Sequence, residues 1–137
     1  MKKLIIIGII LVIAVFGLCK SNLIHIGSAG PGATPEQTAK AAVLALAKLE
    51  PEKATLFFTP IPGAAMANRL ADLYMNIESL DIEDLTVILT LEEGVAARVQ
   101  ATYNMIFTAQ GYTNTEHCSK IIKLVKIDGK WWINDVF

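Results

Sequence analysis

Four consecutive strand-like runs fill the second half of this chain, and they constrain its fold more than any other feature. From Val95 onward, Ala97, Val99, Ala101, Tyr103, Met105 and Phe107 alternate with Arg98, Gln100, Thr102, Asn104 and Thr108. Successive side chains of a strand point to opposite faces, so this period of two sets one face on a core and the other in water. Leu85, Val87, Leu89 and Leu91 repeat the pattern upstream, with a turn at Glu93-Gly94. A second turn at Gln110-Gly111 precedes a third strand from about Tyr112 to Ile127, and the fourth strand runs from Trp131 to Phe137. Asp128-Gly129 suits the tight turn between them, because both central positions of such a turn need positive φ. Short turns between consecutive strands predict an antiparallel meander. A flat run from Val95 to Thr108 would measure about 45 Å, longer than a small domain is wide, which predicts a sheet that twists or bulges.

The alternation fails in the third strand. Ile121 and Ile122 are adjacent, as are Leu124 and Val125, with Lys120, Lys123 and Lys126 between them. Either a bulge shifts the register there or both faces are partly covered.

Ahead of the strands the pattern is helical. Thr34-Pro35-Glu36-Gln37 is a capping signal, with Thr34 as the cap, Pro35 at the first helical position and Gln37 able to reach back. Ala39, Ala42, Val43, Leu46, Ala47 and Leu49 then form one apolar stripe. Pro51 opens a short second helix that turns Ala54, Phe57 and Phe58 inward. Pro60-Ile61-Pro62-Gly63 breaks the chain, and a third helix to about Ser79 presents Met66, Leu70, Leu73, Tyr74 and Ile77. The fold class expected is therefore α+β: three helices packed on a curved four-stranded antiparallel meander, over residues 34–137.

The N-terminal segment has the pattern of a membrane-directed leader. Met1-Lys2-Lys3 is a short basic segment, and Leu4–Cys19 carries no charge. As a helix these residues would span about 24 Å, short of a ~30 Å hydrocarbon core, which fits a signal-peptide core or a minimal anchor. Cys19 follows the apolar run as a lipidated cysteine would, but Leu18 is large where that signal wants a small residue. The segment 1–19 is thus an uncleaved anchor, a lipidation signal or a cleaved leader. Each route carries the domain across the cytoplasmic membrane into the cell envelope, with Lys2 and Lys3 left on the cytoplasmic side. Residues 20–33, rich in Gly, Pro, Ser and Ala towards their end, read as a flexible tether.

Setting aside Lys2 and Lys3 leaves ten Lys/Arg against thirteen Asp/Glu, a formal charge of −3, which gives no basic face for nucleic acid. Cys118 is then the one cysteine of the domain, and two His and two scattered Cys give no zinc spacing. No phosphate-binding loop follows a strand, and no cofactor is expected.

Three helices before a four-stranded meander, closed by Asp128-Gly129-Lys130-Trp131-Trp132-Ile133, resemble the nuclear transport factor 2-like superfamily, especially its small exported bacterial members of unknown function. The resemblance covers residues 34–137 and implies a cone-shaped α+β fold with a hollow between helices and sheet. It also implies that the sheet can pair with a second copy. Enzymes of that superfamily use an inward carboxylate with Tyr donors, or a His–Asp pair. The alternation turns Tyr103 inward but places no Asp or Glu inward on the second strand, and Glu116, beside His117, should face away from it. Candidate ligand-binding residues are Tyr74, Tyr103, His117 and Trp132, with Cys19 a candidate for lipidation. The expectation is a membrane-tethered binding or scaffold domain that receives a protein partner or a small apolar ligand. The alternative is a small isomerase- or dehydratase-type enzyme.

Overall fold

The computed structural model describes residues 30–137. The expected signal or anchor segment, Cys19 and most of the expected tether lie outside the described residues. Among the described residues no helix is long and apolar enough to cross a membrane.

The helical half comprises α1 (Pro35–Ala45), α2 (Pro51–Ala54) and α3 (Pro60–Tyr74), with single 3₁₀ turns after α1 and α2. At the start of α1, Thr34 Oγ1 accepts from the Gln37 N–H at 3.1 Å. Gln37 Oε1 reaches back one residue further than expected, accepting from the Ala33 N–H. Pro60-Ile61-Pro62-Gly63 does not break the chain as a separate turn; it is the first turn of α3. Amides of a first helical turn have no intrahelical acceptor, so two prolines there cost nothing in hydrogen bonds. The third helix also ends earlier than the pattern predicted, at Tyr74, and Ser79 already belongs to a strand.

The sheet has order β1-β2-β3-β4, all neighbours antiparallel: β1 (Ser79–Glu93), β2 (Ala96–Ala109), β3 (Tyr112–Ile127) and β4 (Lys130–Val136). Both Gln110-Gly111 and Asp128-Gly129 adopt positive φ at both positions, as a two-residue hairpin turn requires. Val95, expected in the inward row, instead sits in the β1–β2 turn and is exposed. β2 and β3 pair without interruption from Ala96↔Val125 to Ala109↔Tyr112. The irregularities fall on the flanking strands. Asp84 and Leu85 together oppose Tyr103, Thr90 is an extra residue between Leu89 and Leu91, and Asn134 is one between Ile133 and Asp135. Bulges of this kind bend the strand that carries them and sharpen its twist, so the long sheet curls around the helices.

The ambiguity in β3 is thereby resolved. Its register against β2 is regular, with Cys118, Ile122 and Leu124 buried on the inner face. Ile121 and Val125 lie on the outer face, where Val125 pairs with Trp132. Both faces carry apolar groups, and the bulge belongs to β4.

The core joins the stripe of α1 to the inner row of β2 and to Leu80, Leu124, Trp131 and Ile133. At its centre is one buried polar side chain, Thr38, with no exposure. Its hydroxyl donates to the Trp131 carbonyl at 2.9 Å and accepts from the Gly32 N–H at 2.8 Å. The Trp131 N–H donates in turn to the Gly32 carbonyl at 3.0 Å. The chain is thus already held at Gly32, two residues before the cap.

Replacing Thr38 by Val keeps the shape but strands an amide and a carbonyl. Urea unfolding should show a loss of about 2 kcal/mol, as for a buried hydrogen-bonded group deprived of its partners. A loss below about 0.5 kcal/mol would deny Thr38 its central place.

Candidate active or binding site in the hollow

Helices and inner sheet face enclose a hollow of about 540 Å³. Ala42, Val43 and Leu46 form its wall on the α1 side, and Met66, Leu70, Leu73 and Tyr74 contribute from α3. The sheet supplies Leu80, Tyr103, Met105, Ile122 and Ile133. Among the lining residues Ala42 is buried and small, which leaves room beside it. The volume lies within the ~300–1,000 Å³ usual for small-molecule sites.

Two of the predicted residues line this hollow from within. Tyr74 donates its hydroxyl to the Leu46 carbonyl at 2.9 Å, in the 3₁₀ turn after α1, where that carbonyl also accepts from the Leu49 N–H at 3.3 Å. Burial pushes its ionisation up to about 12. Tyr103 lies opposite the Asp84–Leu85 bulge and beside Cys118, its partner across β2 and β3. Burial, with the Cys118 thiol and the Glu116 carboxylate nearby, raises its ionisation far above the ordinary phenol range. The thiol is raised as well, by burial first and by Glu116 second, against an opposing pull from Lys120. It stays protonated near neutrality, 3.8 Å from the Glu116 carbonyl and 4.0 Å from Glu116 Oε1.

His117 and Trp132 are placed differently. His117 borders the mouth of the hollow. The register nonetheless sets it on the outer face with Asn104, and its Nδ1 lies 2.8 Å from Asn104 Oδ1. Asn104 Nδ2 donates to Asp84 Oδ2 at 3.1 Å, so the ring ends a chain of polar groups that points away from Tyr103. Trp132 is half-buried on the outer face, and the inward tryptophan is Trp131. Trp132 is not among the residues lining the hollow.

Three charged lining residues were missed by the sequence reading: Arg69 on α3 and Glu116 and Lys120 on β3. Glu116, Cys118 and Lys120 alternate on the inner face. That parity could have been counted back from Ile122 and Leu124, had the break in alternation been assigned to the outer row. Among the described residues no group of three or more His, Cys, Asp or Glu side chains is placed to hold a metal ion.

The order of elements, the bulged four-stranded meander and the hollow beneath the helices define the nuclear transport factor 2-like fold. No family model matches the chain, and no curated protein matches it in sequence. Solved structures do. One is a protein of Novosphingobium aromaticivorans provisionally named a scytalone dehydratase, at TM-score 0.63 and 14% identity, over 86% of this chain and 85% of that one. Another from the same organism, provisionally named an aromatic ring hydroxylase, aligns at TM-score 0.62 and 12% identity over 74% of this chain and 85% of its own. An NTF2-like protein of unknown function from Prochlorococcus gives TM-score 0.50 and 18% identity over 75% of this chain and 90% of that one. Likeness at such identities establishes the fold alone.

The tyrosines give a pH signature. The unfolded chain ionises them near 10 while the fold holds Tyr74 neutral to about 12, so the unfolded state binds fewer protons in that window. Stability should be unaffected by Tyr74 below pH 10 and should fall as pH rises towards 12, by about 1–3 kcal/mol. Denaturant midpoints at successive pH values read this, and Tyr74→Phe should flatten the fall. An equally steep fall in that variant would show that Tyr74 does not contribute.

Proposed function

We propose that this protein is an exported, membrane-tethered binding domain whose hollow receives a small apolar ligand. The observation that carries the reading is the hollow itself: about 540 Å³, walled mostly by aliphatic side chains, with its Tyr74 hydroxyl already engaged by the Leu46 carbonyl. A wall of that kind rewards apolar area taken out of water, by about 25 cal/mol per Å², and offers few directional bonds to a polar molecule. Decanol is a suitable probe. Calorimetric titration should detect its binding, and Ala42→Phe, which narrows the hollow from α1, should weaken it at least tenfold. Leu73→Glu, at the half-exposed edge of the same wall, should act likewise without the risk to the core. Unchanged binding in both variants would place the ligand elsewhere.

Export and tethering rest on Met1-Lys2-Lys3 followed by the uncharged run Leu4–Cys19. The outer sheet face, where Ile88 and Ile121 stand exposed around Gln100, is the surface proposed to meet a protein partner or a second copy. Cell fractionation with chemical cross-linking tests both ideas. The protein should stay with the envelope membranes and cross-link through that face; recovery as a free monomer in the cytoplasm would overturn them.

A second reading has one observation in its favour. Glu116 borders the hollow on the face of Tyr103, so a carboxylate and a phenol do share it. That pair could move a proton on a bound substrate, as an isomerase would. Glu116→Gln should then abolish activity on a screened substrate while leaving thermal unfolding unchanged.

A further inference from the structure

The charges around the hollow deepen the ligand reading, on which this inference rests. The charged side chains that line it are Arg69 from α3 and Glu116 and Lys120 from β3, and all three are exposed. The apolar depth lies beyond them, against Leu80, Ile122 and Ile133, each buried to within 3% exposure. The hollow is therefore amphipathic along its length, apolar within and charged at the mouth. Among the described residues the one ion pair joins Lys53 to Glu50, so none of the three mouth charges is neutralised by a partner within 4.0 Å. Glu116 turns its carboxylate towards the Cys118 thiol, and Lys120 lies on the other side of that thiol along the strand. The two cations come from different walls, helix and sheet, and outnumber the one carboxylate.

We propose that the hollow binds a single-chain amphiphile with an anionic head, its chain inward and its carboxylate held between Arg69 and Lys120. Chain direction follows from the cost of burying a charge among aliphatic side chains. Head-group sign follows from the excess of cations. The guanidinium of Arg69 can meet a carboxylate with two parallel N–H donors, and the Lys120 ammonium adds a point charge. Glu116 opposes the head and limits its affinity, so its removal has the opposite sign to removal of either cation.

The test compares decanoate, decanol and decyltrimethylammonium on the full chain by calorimetric titration. Decanoate should bind about tenfold tighter than decanol at low salt, and the difference should shrink as salt screens the exposed mouth. Decyltrimethylammonium should bind more weakly than either. Lys120→Gln and Arg69→Gln should each weaken decanoate binding about three- to tenfold and leave decanol unchanged, whereas Glu116→Gln should tighten decanoate. Equal affinity for decanol and decanoate, or tighter binding of the cation, overturns the head-group assignment while leaving the apolar hollow intact. Failure of all three to bind overturns the hollow reading and this one together.

Discussion

Antiparallel pairing of β2 with β3, unbroken from Ala96↔Val125 to Ala109↔Tyr112, decides where every side chain of the site points. A slip of one residue would exchange the two faces of β3. It would carry Cys118, Ile122 and Leu124 into water and bring His117 and Ile121 onto the helices. The core forbids that exchange, because a slip either way would set Ser119 against Ala101 or Lys123 against Val99, both wholly buried. Tyr103 therefore meets Cys118, and His117 meets Asn104. The site's chemistry follows from packing several residues away from it.

With its centre rigid, the sheet bends at its flanks. The extra residues lie on β1 and β4, the strands with a neighbour on one side in the sheet. Each is tied down. The Thr90 hydroxyl donates to the Arg98 carbonyl at 3.0 Å, and Asn134 Oδ1 accepts from the Thr59 hydroxyl at 3.0 Å. The second of these, with the Thr59 N–H bonded to the Ile133 carbonyl, fastens the start of α3 to β4. Thr38 does the same for α1. Both long helices are thus pinned to the same strand at one side of the sheet.

Local rules made much of this legible. Asp128-Gly129 needed nothing beyond its own φ preferences, the Thr34 cap nothing beyond three neighbours, and inward Tyr103 nothing beyond the period of β2. Where the answer depended on distant pairing, reading by pattern lost its hold. Glu116 and Lys120 could be set on the inner face only by counting back from Ile122 and Leu124, which requires placing the break in alternation on the outer row. Residues 75–79 read as the end of a helix because Ile77 fits the stripe of Leu70, Leu73 and Tyr74, yet Ser79 opens β1 by pairing with Thr108. Pro60 and Pro62 signal a chain break and a helix start with equal force. Trp131 and Trp132 take opposite faces, as the period of two requires, and which of them faces inward depends on the register with β3.

The bulges of β1 have one more consequence. β1 is fifteen residues long and lies at the edge of the sheet, and an edge of that length offers a row of free amides and carbonyls to any strand nearby. Such an edge can seed cross-strand pairing between copies. Interruptions at Asp84–Leu85 and Thr90 cut the row into short pieces, none long enough to template a second chain in register. Asp81, Glu83, Glu92 and Glu93 add repulsion between like edges. The same kinks that curve the sheet around its hollow thus guard its β1 edge against strand pairing with another copy.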